Sequence, residues 1–246
     1  MSASSPRQRD LGRGAALLPA RVKDGVRALL RPAVRAAQRL HLTPNTVTVI
    51  GLLIVLLASG IVASGGLLVG AIILTAGSLL DAVDGALARA SGGGTAFGSF
   101  LDSTLDRIGE AVLYAAIAGF YLRTSVQPTV PVLVTFLALT GSFMVSYSRA
   151  RAEGIGLNAS VGIAPRTERL VLIIAGLTLA GLGVQIGLIG AISIVAALTA
   201  ATVVQRIWHV WRQSQARPEL SAAAPRDPNP NPNPNPNPNK ETSIRG

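Results

Sequence analysis

The chain contains no cysteine and only two histidines, and 14% of its 246 residues are charged. Without cysteine there are no disulfides and no thiolate metal sites, and redox compartment leaves no mark on the sequence. Neither histidine, His41 or His209, lies near the acidic segment described below, so both read as interfacial packing residues. Acidic residues are scarce too: 12 against 22 Lys and Arg, a net charge of +10. What is abundant is apolar. Uncharged or nearly uncharged runs recur at 46–65, 66–80, 111–122, 128–147, 170–186 and 186–205. Their lengths approach that of a membrane crossing, which argues against a soluble domain.

Basic residues alternate between the connections. Nine Lys and Arg precede the first run, and the turn at 64–66 has none. Arg89 follows the second run, Arg123 is the one charge after the third, and Arg149, Arg151, Arg166 and Arg169 flank the next connection. The turn at 183–187 has none, and Arg206, Arg212 and Arg217 follow. This alternation predicts a multi-pass protein of the cell membrane with both termini on the cytoplasmic side. The positive excess is then explained by cytoplasmic loops and anionic lipid, without nucleic acid. The first forty residues are polar and basic, unlike a cleavable signal peptide.

The expected fold is all-α and integral to the membrane. Residues 1–18 read as disordered. Residues 19–43 read as an amphipathic interfacial helix, with Lys23, Arg27, Arg31, Arg35 and Arg39 recurring every fourth position. Residues 44–215 read as a six-helix transmembrane domain, in which Asn45 or Thr46 caps the first span after Pro44. Trp208 and Trp211 resemble interface anchors on the last helix. The Asn-Pro repeats within 216–246 prevent regular structure and predict a disordered tail.

Four of the few acids, Asp81, Asp84, Asp102 and Asp106, fall within 26 residues between apolar runs. Asp81 and Asp84 share a face of one helix with Gly85 and Ala88; Gly98, Asp102 and Asp106 share a face of the next. If those faces meet, four carboxylates converge, and the small residues permit close approach. A charge at the centre of a span costs about 2.5–3.5 kcal/mol on insertion scales, so such a cluster needs compensation. Arg89 and Arg107 are too few. Divalent cations suit an all-oxygen donor set, and a pair of them suits phosphoryl transfer. Two ions are expected, Mg²⁺ first and Mn²⁺ second. The glycines at 92–94 lack the Lys-Ser/Thr of a phosphate loop and read as a turn. Glu110, one turn beyond Asp106, reads equally as an outer partner of the acids or a packing contact.

The pattern Asp81-x2-Asp84-Gly85-x2-Ala88-Arg89-x8-Gly98-x3-Asp102-x3-Asp106 resembles, without departure, the signature of the CDP-alcohol phosphatidyltransferases. The resemblance spans residues 20–215. It implies metal binding by Asp81, Asp84 and Asp102, and by Asp106, which would also act as base. It implies contacts from Gly85, Arg89 and Thr95 to the CDP part of a lipid donor, CDP-diacylglycerol. The segment Asn45, Thr46, Val47, Thr48 is similar to one that lies near the nucleotide. An acceptor hydroxyl would attack the lipid-side phosphorus and release CMP. A homodimer is also implied.

The connection before the fifth run bears on the acceptor. Arg149, Arg151, Arg166 and Arg169 either anchor the positive side or form an anion pocket, since arginine forks hold phosphate with two hydrogen bonds. "SYSRARAE" resembles the corresponding stretch of the phosphatidylinositol-phosphate synthases, with Arg149 where lysine is common and "PRTERL" in place of a more basic motif. The implied acceptor is 1D-myo-inositol 3-phosphate; glycerol 3-phosphate is the alternative. Metal or proton transport by the same carboxylates is disfavoured, because the acids gather at one face and the other spans are nearly devoid of polar groups. A purely structural membrane anchor leaves the acids unexplained. Asn158 begins a glycosylation sequon, but on the expected cytoplasmic side.

Overall fold

The computed structural model describes residues 35, 38–40, 42–90 and 94–216, with the side chains of 82, 84 and 88–90 outside that set. The expectations for residues 1–18, for most of the amphipathic helix and for the tail beyond 216 lie outside the described residues, as does His41. Among the described residues there are six helices and no strand: α1 Pro44–Ala63, α2 Leu67–Ala90, α3 Ala96–Thr124, α4 Thr129–Gly154, α5 Arg166–Gly181 and α6 Ile186–Gln215.

Local chemistry sets the helix ends. Pro44 opens α1, where its missing N–H costs nothing and its fixed φ suits the first turn. The cap therefore falls two to three residues earlier than the sequence suggests: neither Asn45 nor Thr46 but Thr43, whose hydroxyl accepts the Thr46 amide at 3.2 Å. Thr95 does the same for α3, accepting the Gly98 amide at 2.9 Å. At the other end of the bundle, α1 and α5 both finish in a Schellman turn. Gly65 (φ 100) and Gly183 (φ 96) occupy the left-handed position. The amides of Gly66 and Val184 return to the carbonyls of Ile61 and Leu179, both at 2.9 Å.

The helices close into a ring. α1 packs on α2 and α3, α2 on α5, α5 on α6, α6 on α4, and α4 on α3. Its centre is filled by Leu74, Ile117, Ile173, Leu177, Leu188 and Ile192, with Tyr114 hydrogen-bonded to Ser142 at 3.1 Å between α3 and α4. Outward-facing Leu53, Leu57, Ile72, Phe136 and Leu137 are more than half exposed. Apolar surface facing lipid has no water to escape, so cohesion rests on close packing. Gly181 illustrates this: a methyl there would sit 2.6 Å from the Leu68 amide nitrogen, so α5 touches α2 backbone to backbone.

Four helical stretches are long and apolar enough to cross a membrane: Pro44–Ala63, Leu67–Leu87, Thr129–Gly154 and Ile186–Gln215. α3 carries Asp102, Asp106, Arg107 and Glu110 in its first half, which dilutes its apolar character. α5 has only 16 residues. The described residues form an all-helical membrane protein, and the two helices that fall outside the four supply, together with α2, the charged groups of the site.

Candidate active site

α2 extends well past the apolar run at 66–80, carrying Asp81 on its last three turns. The Thr95 cap starts α3 close enough for Asp102 and Asp106 to face Asp81. One carboxylate oxygen from each of Asp81, Asp102 and Asp106 lies within 4.8 Å of the other two, all three side chains partly buried. Oxygens at that separation can ligate a single hard cation at ordinary bond lengths of about 2.0–2.6 Å, so these residues fit a divalent metal. The side chains of Asp84 and Arg89 lie outside the described residues.

Arg166, the first residue of α5, reaches into this cluster. Its guanidinium forks, with Nη1 2.7 Å from Asp81 Oδ2 and Nη2 2.8 Å from Asp106 Oδ1. The three groups retain side-chain exposures of 33%, 35% and 14%, so solvent reaches the cluster. Arg107 stands 3.8 Å from Asp106 while donating to the Ser103 carbonyl at 2.7 Å. Positive charge thus approaches the acids from an element 85 residues away in sequence.

Arg169 follows Arg166 on the same face of α5, and Glu110 follows Asp106 on the same face of α3. Arg169 donates to Glu110 from Nε at 3.1 Å and from Nη2 at 2.9 and 3.2 Å. Side-chain exposures here are 2% and 11%. Removing one partner of so buried a pair strands the other charge, typically at about 3–5 kcal/mol. Glu110 is therefore a charged partner in a buried pair rather than an apolar packing contact.

The four arginines grouped by sequence do not gather into one pocket. Arg166 meets the acids and Arg169 is sealed against Glu110. Arg149 pairs with Glu153 at 2.8 Å on the α4 surface, both side chains more than half exposed. Arg151 is exposed beside it. Of the expected donor residues, Thr48 lines the cleft described below. Asn45 lies against Gly98, whose added methyl would meet Asn45 Oδ1 at 2.9 Å. Thr46 shares a hydroxyl hydrogen bond with Thr43 at 2.8 Å. Val47 is buried against Leu87, and Gly85 is partly buried on the last turns of α2. Thr95 is the α3 cap beside Gly98. Thr48 donates to the Pro44 carbonyl at 3.0 Å and faces the cleft.

That cleft opens between α1, α2, α3 and α5. Its mouth is polar, formed by Thr48, Ser78, Asp81, Asp106 and Arg166, with Glu110 one turn deeper. One to two turns further along each helix it becomes apolar, lined by Leu52, Val55, Leu74, Leu113 and Ile173. Gly51, Gly77 and Gly109 also line it. A charged mouth above an apolar shaft matches a ligand with a phosphorylated head and a hydrocarbon body. The sequence reading did not single out Gly51, Gly77, Ser78 or Gly109. Their signal was present: 74, 77, 78 and 81 share one helical face, as do 102, 105, 106, 109, 110 and 113.

The Trp208 and Trp211 rings meet tilted by 39°, 5.1 Å between centroids, and both are half exposed. Asn158, in the 155–165 connection, caps its own turn by accepting the Ser160 amide at 2.7 Å.

A family model described as CDP-alcohol phosphatidyltransferase matches residues 41–208. The archaetidylinositol phosphate synthase of Methanothermobacter thermautotrophicus is 40% identical over 190 residues, spanning 74% of this chain and 93% of that protein. The crystal structure of Mycobacterium tuberculosis phosphatidylinositol phosphate synthase with CDP-DAG bound matches with a TM-score of 0.69 at 31% identity, covering 75% of this chain and 94% of that one. The same mycobacterial protein in complex with manganese and citrate matches with a TM-score of 0.69 at 31% identity, over 74% and 88% of the two chains. With an acidic signature over two adjoining helices, a fitting three-carboxylate cluster and matches over most of its length, this chain belongs to the CDP-alcohol phosphatidyltransferase family of enzymes.

Proposed function

We propose that the protein transfers the phosphatidyl group of CDP-diacylglycerol to 1D-myo-inositol 3-phosphate, giving phosphatidylinositol phosphate and CMP. One observation carries the reading: Arg166, from the segment expected to bind acceptor phosphate, enters the carboxylate cluster at 2.7 and 2.8 Å. A phosphate held by that guanidinium would bring its own polyol hydroxyls beside the acids. The relatives named for inositol phosphate lipids support the choice of acceptor.

Asp81, Asp102 and Asp106 would hold divalent metal together with Asp84; we favour two ions, Mg²⁺ before Mn²⁺. Bound there, such cations neutralise charge on the donor diphosphate and orient it. The chain's own groups do the rest. Asn45, Thr46, Val47, Thr48, Gly85, Arg89 and Thr95 would hold the CDP head. The apolar shaft takes a hydrocarbon chain. Asp106 accepts the proton of the acceptor hydroxyl as its oxygen bonds to the lipid-side phosphorus, and the bond to the CMP oxygen breaks. Arg166 would fix the acceptor phosphate, and Arg149 and Arg151 would add positive charge. The reading includes six spans with the site and both termini on the cytoplasmic side, and a homodimer that rests on the family resemblance.

Purified protein given CDP-diacylglycerol and Mg²⁺ or Mn²⁺ is offered inositol 3-phosphate, glycerol 3-phosphate, free inositol and serine separately. The lipid product is identified by mass. Product with inositol 3-phosphate supports the reading; product with glycerol 3-phosphate alone overturns the acceptor while leaving the chemistry intact. Flux of metal or protons in proteoliposomes without CMP release defeats it altogether.

A further inference from the structure

We propose that Glu110 and Thr202 are positioning residues that set Arg166 against the acid cluster, and with it the site of the acceptor phosphate. The inference rests on the functional reading above for the identity of the acceptor, and on geometry for everything else.

α3 and α5 face each other across the mouth of the helix ring, where the cleft separates them. Two rungs of side chains span the gap. The Asp106–Arg166 rung is open to solvent and adjoins the cluster. The Glu110–Arg169 rung, one turn deeper, is sealed. A ligand phosphate can exchange places with a carboxylate on the open rung. The sealed rung is left to hold the two helices at a fixed separation and rotation, because a buried charge cannot leave its partner without a large penalty.

The same rung is tied to α6 through the backbone. Arg169 Nη1 donates to the Ala164 carbonyl at 3.0 Å, and the Ala164 amide donates to Thr202 Oγ1 at 3.2 Å. The Thr202 hydroxyl proton is spent on the Leu198 carbonyl at 2.8 Å, which turns an oxygen lone pair toward Ala164. Ala164 and Thr202 are wholly buried. Pro165 comes next, its φ limited by the ring, and caps α5 without a side-chain hydrogen bond. Ala164 is therefore pinned through both its polar groups, and Arg166 stands two residues on with a restricted backbone between. The chain Glu110, Arg169, Ala164, Thr202 links α3, α5 and α6; of the four, Glu110 borders the cleft, and its carboxylate is engaged by Arg169.

The test compares wild type with Glu110→Gln, Thr202→Val and Thr202→Ser in lipid nanodiscs. Four quantities are read: acceptor KM, donor KM, Mn²⁺ affinity by electron paramagnetic resonance, and melting temperature. The acceptor is whichever phosphorylated polyol the wild type uses. Misplacement of a positioned group should raise acceptor KM about tenfold or more in E110Q and T202V. Donor KM and Mn²⁺ affinity should stay within about twofold, and T202S should return acceptor KM to near the wild-type value. Unchanged acceptor KM in folded E110Q and T202V overturns the proposal. So does a parallel rise in both KM values with a lowered melting temperature, the mark of a merely structural role. Should E110Q fail to fold, the two Thr202 variants decide. A wild type that uses no phosphorylated polyol defeats the functional reading instead. Inorganic phosphate, followed by its protection against thermal unfolding, then decides: weaker binding in the variants sustains the inference, and equal binding or none overturns it.

Discussion

At one end of the helix ring, three aspartates, a glutamate and two arginines from α2, α3 and α5 crowd together. At the other, the turns at 64–66 and 182–185 are built from glycine and hydrogen-bonded backbone, with Arg123 reaching the Ser64 carbonyl at 3.4 Å. The quiet end satisfies its last carbonyls locally, within five residues of each turn. The charged end ties its acids to arginines across the bundle, over separations of 59 and 85 residues. Like charges brought so close repel, and they stay together only because cations meet them. One end thus conserves the fold's shape cheaply, while the other stores unfavourable contacts that a substrate and metals can relieve.

If the ends divide labour in this way, their variants should divide as well. The largest effect belongs to Asp106→Asn, which keeps the shape and removes the proton acceptor. Turnover should fall about 10²–10⁴-fold with CDP-lipid binding largely retained, as read by single-turnover CMP release alongside equilibrium donor binding. Near-normal turnover would remove Asp106 from its role as base.

How far this division was legible in the sequence differs from residue to residue. The acids announced themselves by period: three apart, then four apart, on helices whose apolar flanks fixed their depth. The longer extents of α2 and α3 followed from the same motif. The arginines were misleading because they are neighbours in sequence. Arg166 and Arg169 turn into the bundle, while Arg149 and Arg151 turn outward from the end of α4. The spacing held a clue, since acids four apart on α3 can be matched by arginines three apart on α5. Choosing that pairing required knowing that α3 and α5 face each other, which depends on the closure of the ring. Thr202 carries no local signal at all. A threonine in an apolar helix ordinarily bonds back to its own turn, and its second partner comes from the 155–165 connection.

A smaller effect, again at the charged end, tests the shaft beneath the acids. A methyl on Gly51 would meet nothing within 4 Å, so Gly51→Leu should fold normally while filling the space. Donor KM should rise about tenfold with the melting temperature unchanged, since displaced hydrocarbon contacts are worth about 1–3 kcal/mol. An unaltered donor KM would mean that the lipid lies elsewhere. The smallest effect on catalysis belongs to the quiet end. Gly183→Ala forces a methyl into the left-handed region at φ 96. It should cost about 1–2 kcal/mol of stability in denaturant or thermal unfolding, with turnover per folded molecule unchanged. A loss of turnover there would erase the distinction between the ends.

The brevity of α5 reaches beyond the protein. At 1.5 Å per residue its 16 residues measure about 24 Å, against about 30 Å for a typical hydrocarbon layer. In the six-span reading, the bilayer beside α5 must dip to meet it. The dip lies where a water-borne sugar phosphate has to encounter a lipid anchored in the leaflet. A thinned patch shortens that vertical distance, and bilayers of longer acyl chains would resist forming it.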